Sequence, residues 1–304
     1  MKIIKPEKLK ENGTIGILAV SGRIKEYERI EKAADFFEKR GFKTVISDTC
    51  LTSHRYMAGR SDEDCINALH NFFLDKNIDA VLCARGGYGA LRLIDKINWN
   101  IIKENPKIFA GYSDITTLLA MIYKKTGLIT FHSPMANGDF ALETDEYTVN
   151  SFFNTLEGKT ETIKAENPVI YKKGRAEGRL WGGNLASLAA LCGRDFIPDD
   201  DIILFIEDVN EPAYKIDRML CQLLGAAGFK KHIKALVIGE FKDTEDTAWL
   251  KEVLSETVQS LDIPAASGFK ITHNKTKDTV PFGIKAEFDT RDGLIKFKEN
   301  YPAS

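Results

Sequence analysis

The sequence predicts an α/β protein with a doubly wound parallel sheet in its first half and a mixed α+β domain in its second. Short apolar segments alternate with amphipathic segments through residues 1–140, which is typical of parallel strands joined by right-handed helical crossovers. The alternation is less regular after the polar stretch 141–174. Because 304 residues suffice for two domains of ordinary size, we expect an N-terminal domain over 1–140, a linker over 141–174 and a C-terminal domain over 175–304.

Five short apolar segments of the first half are predicted to be buried strands, at 14–20, 43–47, 78–84, 108–111 and 128–131. The segments between them are predicted to be helices. The helix within 25–40 has an apolar face formed by Ile30, Ala33, Ala34 and Phe37. Ser61 is suited to cap a second helix, whose apolar face is Ile66, Leu69 and Phe73. Both helices therefore have one face to bury against the sheet.

The second half shows fewer clear elements. Apolar runs predict strands at 201–206 and 236–241, and helical spacing predicts helices at 184–191, 213–225 and 246–260. Residues 283–298 have the alternation and the central turn that are typical of a hairpin. These strands and helices do not alternate regularly, so we expect a mixed α+β domain.

The composition limits the classes of function. Lys and Arg total 42 and Asp and Glu 44, a net charge of −2 that argues against a strongly basic nucleic-acid binder. The five cysteines form no Cys-x-x-Cys pair, and we expect neither a metal nor a cofactor. The apolar run 15–20 is too short for a signal peptide, and no run long enough to cross a membrane follows. We therefore expect a cytoplasmic protein without membrane contact.

A glycine-rich loop, Arg85-Gly86-Gly87-Tyr88-Gly89, follows the third predicted strand. Open α/β sheets bind ligands at the carboxyl ends of their strands, and glycines there let backbone N–H groups approach a phosphate or a reaction oxyanion. The loop departs from a dinucleotide fingerprint because Arg92 holds the position of the third glycine. A tight strand-to-helix turn explains the same residues, so both interpretations remain.

Ser113 lies in the next loop of this kind, Gly111-Tyr112-Ser113-Asp114. A serine at a strand-to-helix turn is the arrangement of a nucleophile elbow, although Ile115 replaces the second glycine of that motif. Serine is also a good helix cap, and Asp114 suits a first helical turn without any catalytic role. This segment alone leaves open whether Ser113 is a nucleophile or a cap.

A serine nucleophile needs a histidine base and a carboxylate that orients the base. Of the five histidines, His132 at a strand end and His273 in a polar loop are the main candidates. Glu207 ends an apolar run, where a carboxylate would be partly desolvated. The acids that compete with it nearby are Asp208, Glu211 and Asp217. The order Ser113, Glu207, His273 is the nucleophile–acid–base order of α/β-hydrolases.

Five segments together resemble the LD-carboxypeptidase family of serine peptidases. They are Ala84-Arg85-Gly86-Gly87-Tyr88-Gly89, Gly111-Tyr112-Ser113-Asp114-Ile115-Thr116, Gly182-Gly183-Asn184-Leu185, the run Glu207-Asp208-x-x-Glu211-x-x-Tyr214-x-x-Asp217-Arg218, and His273 ahead of Pro281-x-Gly283. They stand in the family's order and cover nearly the whole chain. The resemblance implies a homodimer whose chains each have an N-terminal Rossmann-like domain and a C-terminal β-rich domain.

The resemblance also implies roles for individual residues. The expected catalytic triad consists of Ser113 on the first domain and Glu207 and His273 on the second. The backbone N–H groups of Gly87 and Asp114 would form the oxyanion hole. Arg85 is a candidate clamp for the terminal carboxylate of a small peptide substrate.

Two activities occur in this family. One removes the terminal D-alanine from cytoplasmic murein tetrapeptides during cell-wall recycling, and the other is microcin C self-immunity, the cleavage of an aminoacyl-nucleotide analogue. The chain has no obvious insertion for a nucleotide, which favours the carboxypeptidase. Trp181 supports the alternative if it stacks on a base, although core packing is the favoured explanation for it. A non-catalytic nucleotide-binding protein and a ligand-binding protein remain further alternatives.

Overall fold

The computed structural model describes residues Met1–Tyr301. Strands and helices alternate in the first part of the chain, as expected. Its elements are β1 (Thr14–Leu18), α1 (Glu28–Glu38), β2 (Lys43–Ile46), β3 (Ser53–His54), β4 (Met57–Ala58), α2 (Asp62–Leu74), β5 (Ala80–Cys83), α3 (Ala90–Leu93), α4 (Trp99–Glu104), β6 (Ile108–Gly111), α5 (Thr116–Thr126) and β7 (Thr130–His132).

The second part of the chain carries more strands than helices. Its elements are α6 (Glu146–Leu156), β8 (Thr162–Lys164), β9 (Ile170–Lys172), β10 (Arg175–Asn184), α7 (Leu185–Ala189), β11 (Ile202–Val209), α8 (Ala213–Leu224), β12 (Ile233–Lys242), α9 (Thr247–Leu261), β13 (Ala265–Ser267), β14 (Val280–Phe282), β15 (Lys285–Asp289) and β16 (Leu294–Phe297).

The first sheet confirms the doubly wound arrangement. Strands β7, β6, β5, β1 and β2 lie side by side in that order and run parallel. The chain enters at β1, adds β2 on one side and then adds β5, β6 and β7 on the other. Helices α2, α4 and α5 pack together, whereas α1 packs on the turn at 136–140. The carboxyl ends of all five strands therefore meet at one edge of the sheet, where a ligand site is expected.

The predicted helix signals are confirmed in this part of the chain. The Ser61 hydroxyl accepts a hydrogen bond from the Asp64 N–H at 3.2 Å and caps α2. The expected apolar faces of α1 and α2 are buried. Gly41 follows α1 with φ +88°, a conformation that glycine adopts without strain.

The second sheet has eight strands in the order β8, β16, β15, β10, β11, β12, β13 and β9. Strands β10 to β13 are parallel and form its centre, and the outer pairs are antiparallel. This arrangement confirms the β-rich α+β prediction. Sequence analysis missed β10, because charged residues and glycines interrupt any apolar pattern in it. At Gly182 the backbone of β10 lies so close to Phe205 of β11 that a Cβ atom has no room.

Segments from the second half of the chain connect the two sheets. Strand β14 pairs antiparallel with β7, with Val280 opposite His132, and so extends the first sheet with a strand from the second half. The segment 141–174, expected to be a linker, contains α6, β8 and β9. Helix α6 holds the loop 275–279, since the Thr148 hydroxyl accepts from the Lys277 N–H at 3.0 Å and the Tyr147 hydroxyl donates to Asp278 at 2.7 Å. The division into domains at these boundaries stays a prediction.

We expect Asp278→Asn to reduce the loss of stability between acidic and neutral pH. Burial raises the pKa of Asp278 from 3.8 to about 6, against the opposing Tyr147 hydrogen bond and Lys270 charge. An acid with a raised pKa binds its proton more tightly in the folded state, so its contribution to stability falls as the pH rises from about 4 to about 6. One Asp278 oxygen has no hydrogen-bond partner among the described residues, so an amide nitrogen can replace it.

Urea unfolding of both proteins at about pH 4.5 and about pH 7 measures this effect. The free energy of unfolding should change less with pH in the Asn variant. The same change in both proteins would contradict the prediction.

Among residues 1–301, no helix is long and apolar enough to cross a membrane.

Candidate active site

Ser113 lies two residues after the end of β6, at the carboxyl edge of the first sheet, and begins a 3-10 turn that leads into α5. Its φ is +63°, a left-handed conformation that costs free energy for any residue other than glycine. The loop 85–89 packs directly on it. A Cβ atom on Gly86 would lie 2.7 Å from the Cβ and 2.8 Å from the hydroxyl oxygen of Ser113. The glycine therefore allows backbone to reach the serine, as a nucleophile elbow requires.

Asp114 fixes the loops around this turn. Its buried carboxylate accepts hydrogen bonds from the Ser21 hydroxyl at 2.6 Å and from the Ala90 N–H at 3.0 Å. Burial raises the pKa of this carboxyl, and the two hydrogen bonds oppose that shift. The side chain therefore connects the loop after β1 and the start of α3 to the Ser113 turn. The role of the Asp114 and Gly87 N–H groups as an oxyanion hole stays a prediction.

Glu207 and His273 come together although they are far apart in the sequence. Glu207 lies in β11 with none of its surface exposed, and its Oε2 atom is 2.6 Å from Nδ1 of His273. Nε2 of His273 is buried and has no hydrogen-bond partner among the described residues, so it is not bonded to the Ser113 hydroxyl in this structure. A carboxylate on one ring nitrogen leaves the other available to accept a proton.

The loop that carries His273 is fastened to β12. The Thr272 hydroxyl donates to Oε2 of Glu240 at 2.7 Å and accepts from the Asn274 N–H at 2.9 Å. The Asn274 amide also donates to Glu240. The residues on both sides of His273 are therefore held in place.

His132, the other candidate base, lies in a different environment. It is buried between the rings of Tyr112 and Phe205, at centroid distances of 5.9 and 5.6 Å. Burial lowers its pKa to about 3, as do its electrostatic interactions with His273 and Lys277. Its Nδ1 atom has no hydrogen-bond partner within Met1–Tyr301. Glu207 thus contacts His273 rather than His132.

Both halves of the chain line a cleft of about 280 Å³ beside Ser113. Gly87, Tyr88 and Thr117 lie on one side, and Asn184 and Asp208 on the other. The halves are hydrogen-bonded here, because the Asn184 N–H donates to the Thr116 hydroxyl at 3.1 Å and the Ser187 hydroxyl donates to the Ser113 carbonyl at 3.3 Å.

Asp208 and Asn184 are site residues that sequence analysis did not assign. The Asp208 carboxylate accepts from the Asn184 amide at 3.0 Å and from the Ala186 N–H at 2.8 Å, and it fixes the start of α7 against the cleft. Burial and the neighbouring Glu207 charge raise the pKa of Asp208 to about 6, against these hydrogen bonds. Both residues lie within motifs that carry the family resemblance, which is the signal that could have identified them.

Two expected substrate contacts have different outcomes. The structure corrects the role considered for Trp181, since its indole is fully buried among Phe196, Phe229 and Phe282 and offers no surface to a ligand. The Arg85 guanidinium donates to the backbone carbonyls of Gly86 and Arg23, at 3.1 and 3.0 Å. Its role as a carboxylate clamp stays a prediction.

No group of three or more His, Cys, Asp or Glu side chains within the described residues could hold a metal ion.

Known proteins resemble this chain over nearly its whole length. Residues 15–133 match the LD-carboxypeptidase N-terminal domain and residues 177–288 the LD-carboxypeptidase C-terminal domain. A probable murein peptide carboxypeptidase of Bacillus subtilis is 35% identical over 95% of this chain and 92% of its own.

Two solved structures have the same fold. MccF in complex with glutamyl sulfamoyl guanosine superposes with a TM-score of 0.90 at 25% identity, covering 99% of this chain and 100% of its own. The muramoyltetrapeptide carboxypeptidase of Oxalobacter formigenes superposes with a TM-score of 0.83 at 28% identity, covering 95% and 100%. This chain belongs to the LD-carboxypeptidase family and is a serine-type carboxypeptidase, a hydrolase.

Proposed function

We propose that this protein hydrolyses the amide bond between an L-centre and the terminal D-alanine of murein tetrapeptides, in the cytoplasm during cell-wall recycling. The observation that carries the proposal is the Glu207–His273 hydrogen bond, which leaves His273 Nε2 without a hydrogen-bond partner among the described residues while the His273 ring packs on Tyr112, the residue before Ser113. The names of the murein peptide relatives support the substrate class. A small peptide is the partner, and a homodimer is the expected assembly.

In the proposed mechanism, Nε2 of His273 takes the proton of the Ser113 hydroxyl as its oxygen attacks the scissile carbonyl carbon. The N–H groups of Gly87 and Asp114 donate to the oxyanion that forms. The Glu207 carboxylate accepts a hydrogen bond from Nδ1–H, keeps the ring in one tautomer and stabilises the imidazolium.

The imidazolium then protonates the amine of D-alanine as the C–N bond breaks, which leaves an acyl-enzyme on Ser113. Water attacks this ester with His273 again acting as base; the imidazolium then returns the proton to the Ser113 oxygen as the ester C–O bond breaks, and the peptide leaves as a free acid. Each proton that His273 accepts is therefore returned within the cycle.

Apo enzymes often form the nucleophile–base hydrogen bond only with substrate bound, and the separate Ser113 and His273 are consistent with that behaviour. Ser113 lines the cleft, and His273, from the other half of the chain, packs on the ring of the preceding residue, Tyr112. Substrate in the cleft would contact both halves at once.

Substrate stereochemistry tests the proposal. Inverting the terminal residue moves its carboxylate and methyl group relative to the scissile bond, and a misplacement of about 1 Å can cost on the order of 100-fold in rate. We therefore expect alanine release from a murein tetrapeptide that ends in D-alanine and not from the same peptide ending in L-alanine. Equal release from both would contradict the stereochemical assignment.

The same assay also tests the second candidate function. The structure of MccF with glutamyl sulfamoyl guanosine has the same fold as this chain, so an aminoacyl-nucleotide analogue is the alternative substrate. Cleavage of an aminoacyl sulfamoyl-adenylate, without alanine release from either peptide, would assign the protein to that activity. The burial of Trp181 weighs against it, since no stacking surface is offered by this residue.

Gly86→Ala is expected to lower kcat by on the order of 100-fold, because the added Cβ atom would displace the Ser113 side chain. Gly138→Ala is the matched control, since a Cβ atom there meets no atom of the described chain within 4 Å. Steady-state kinetics of D-alanine release compare the two variants with the wild type. Equal activity of both variants would show that the 85–89 loop does not constrain Ser113.

A further inference from the structure

A buried lysine anchors the loop of His273 to the first half of the chain. Lys277 lies four residues after His273, and its side chain is 4% exposed. Its ammonium donates to Oδ1 of Asp139 at 2.6 Å and to the Tyr112 hydroxyl at 3.0 Å. A buried ammonium is stable only when it is paired and hydrogen-bonded, so these contacts fix the position of the side chain.

Tyr112 connects this lysine to the candidate active site. It immediately precedes Ser113, and its ring lies edge-to-face with the His273 imidazole, at a centroid distance of 4.8 Å and an angle of 61°. The Lys277 ammonium lies 4.2 Å from the centroid of the same ring. Burial raises the pKa of the phenol well above its ordinary value, as do the charges of Asp139 and Glu207, so it remains protonated. One ring therefore contacts the base, the lysine and the chain next to the nucleophile.

Asp139 and Lys277 are each held by a further hydrogen bond. Oδ2 of Asp139 accepts from the Met135 N–H at 2.8 Å. The backbone N–H of Lys277 donates to the Thr148 hydroxyl of α6 at 3.0 Å. The lysine is thus fixed through its backbone and through its side chain.

We propose that Lys277 is a positioning residue: it holds the Tyr112 ring against His273 and thereby fixes the orientation in which Nε2 meets the Ser113 hydroxyl once substrate is bound. The inference rests on the proposed Ser113–His273–Glu207 mechanism and adds to it the device that assembles the triad across the two halves of the chain. Lys277 acts through Tyr112 and touches neither substrate nor reacting atoms. Asp139 balances its charge.

The variants must separate positioning from the cost of an unpaired buried charge. Lys277→Met keeps the length of the side chain but leaves the Asp139 carboxylate buried without its cation, which destabilises the fold. The double variant Asp139→Asn/Lys277→Met removes both charges, and its amide oxygen still accepts from Met135. Lys275→Met is the matched control, because it replaces the same type of residue by methionine at an exposed position of the same loop.

The test measures kcat and KM for D-alanine release from the tetrapeptide, together with the melting temperature of each variant. We expect kcat to fall roughly 100-fold in both Lys277 variants with KM changed less than about twofold, because alignment is lost while substrate binding is kept. The double variant should recover melting temperature without recovering kcat. Lys275→Met should match the wild type.

A double variant with kcat within about threefold of the wild type would overturn the proposal and leave Lys277 as a structural ion pair. Failure of the proposed function gives a different pattern. In that case the wild type releases no D-alanine, or Ser113→Ala releases it as fast as the wild type, and the positioning role falls with it.

Discussion

Replacing Ser113 by alanine is expected to lower kcat for D-alanine release by about 10⁴-fold or more, with little change in folding. The hydroxyl is the only group of this residue that the reaction uses, and without it no acyl-enzyme can form. Removal of the hydroxyl also takes away no hydrogen bond to His273, since Nε2 of His273 has no partner among the described residues. Steady-state kinetics and a thermal melt measure the two effects.

Ser255→Ala is the control for this variant. Ser255 lies on α9, and within residues 1–301 its hydroxyl bonds only to the Lys251 carbonyl of its own helix. We expect wild-type kcat from it. Comparable kcat in Ser113→Ala and Ser255→Ala would remove Ser113 from the mechanism.

Glu207→Gln is expected to lower kcat by on the order of 10³- to 10⁴-fold. The amide has nearly the shape of the carboxylate, so the buried site keeps its packing, but it carries no charge to stabilise the imidazolium. It can also donate to Nδ1 of His273, which would place the ring proton on Nε2 and remove the base. The measurement is kcat at saturating peptide, with circular dichroism to show that the fold is kept.

Asp217→Asn provides the comparison for Glu207→Gln. Asp217 is one of the acids that competed with Glu207 in the sequence, and it lies exposed on α8. It should retain full activity. A large loss of kcat in Asp217→Asn, with none in Glu207→Gln, would show that Glu207 is not the acid of the triad.

Local patterns predicted the first sheet well. The strand at 108–111 has the predicted bounds, and Ser61 caps α2 as expected. Both features depend only on residues that are close in the sequence. Local patterns did not predict strands that form only through tertiary contacts. Strand β10 lies at the centre of the second sheet with glycines at close backbone contacts, and β14 is a strand only because it pairs with the distant β7.

In the candidate site, too, local motifs identified residues, but only tertiary contacts show how the residues pair. Motifs singled out Ser113, Glu207 and His273, but spacing alone could not choose between His132 and His273. The choice depends on which imidazole Glu207 reaches, a contact across 66 residues of sequence. The pairing of Lys277 with Tyr112 and Asp139 spans 165 and 138 residues, and no local pattern indicates it.

The most direct test of the proposed mechanism is a comparison of Ser113→Ala, His273→Ala and the double variant, with kcat for D-alanine release measured in all three. Because the two groups act as one unit, each single variant should lose about 10⁴-fold or more and the double variant should be little worse. His132→Ala should lose far less. If the double variant instead loses the product of the two single effects, or if His273→Ala stays active while His132→Ala does not, the Ser113–His273–Glu207 triad is contradicted.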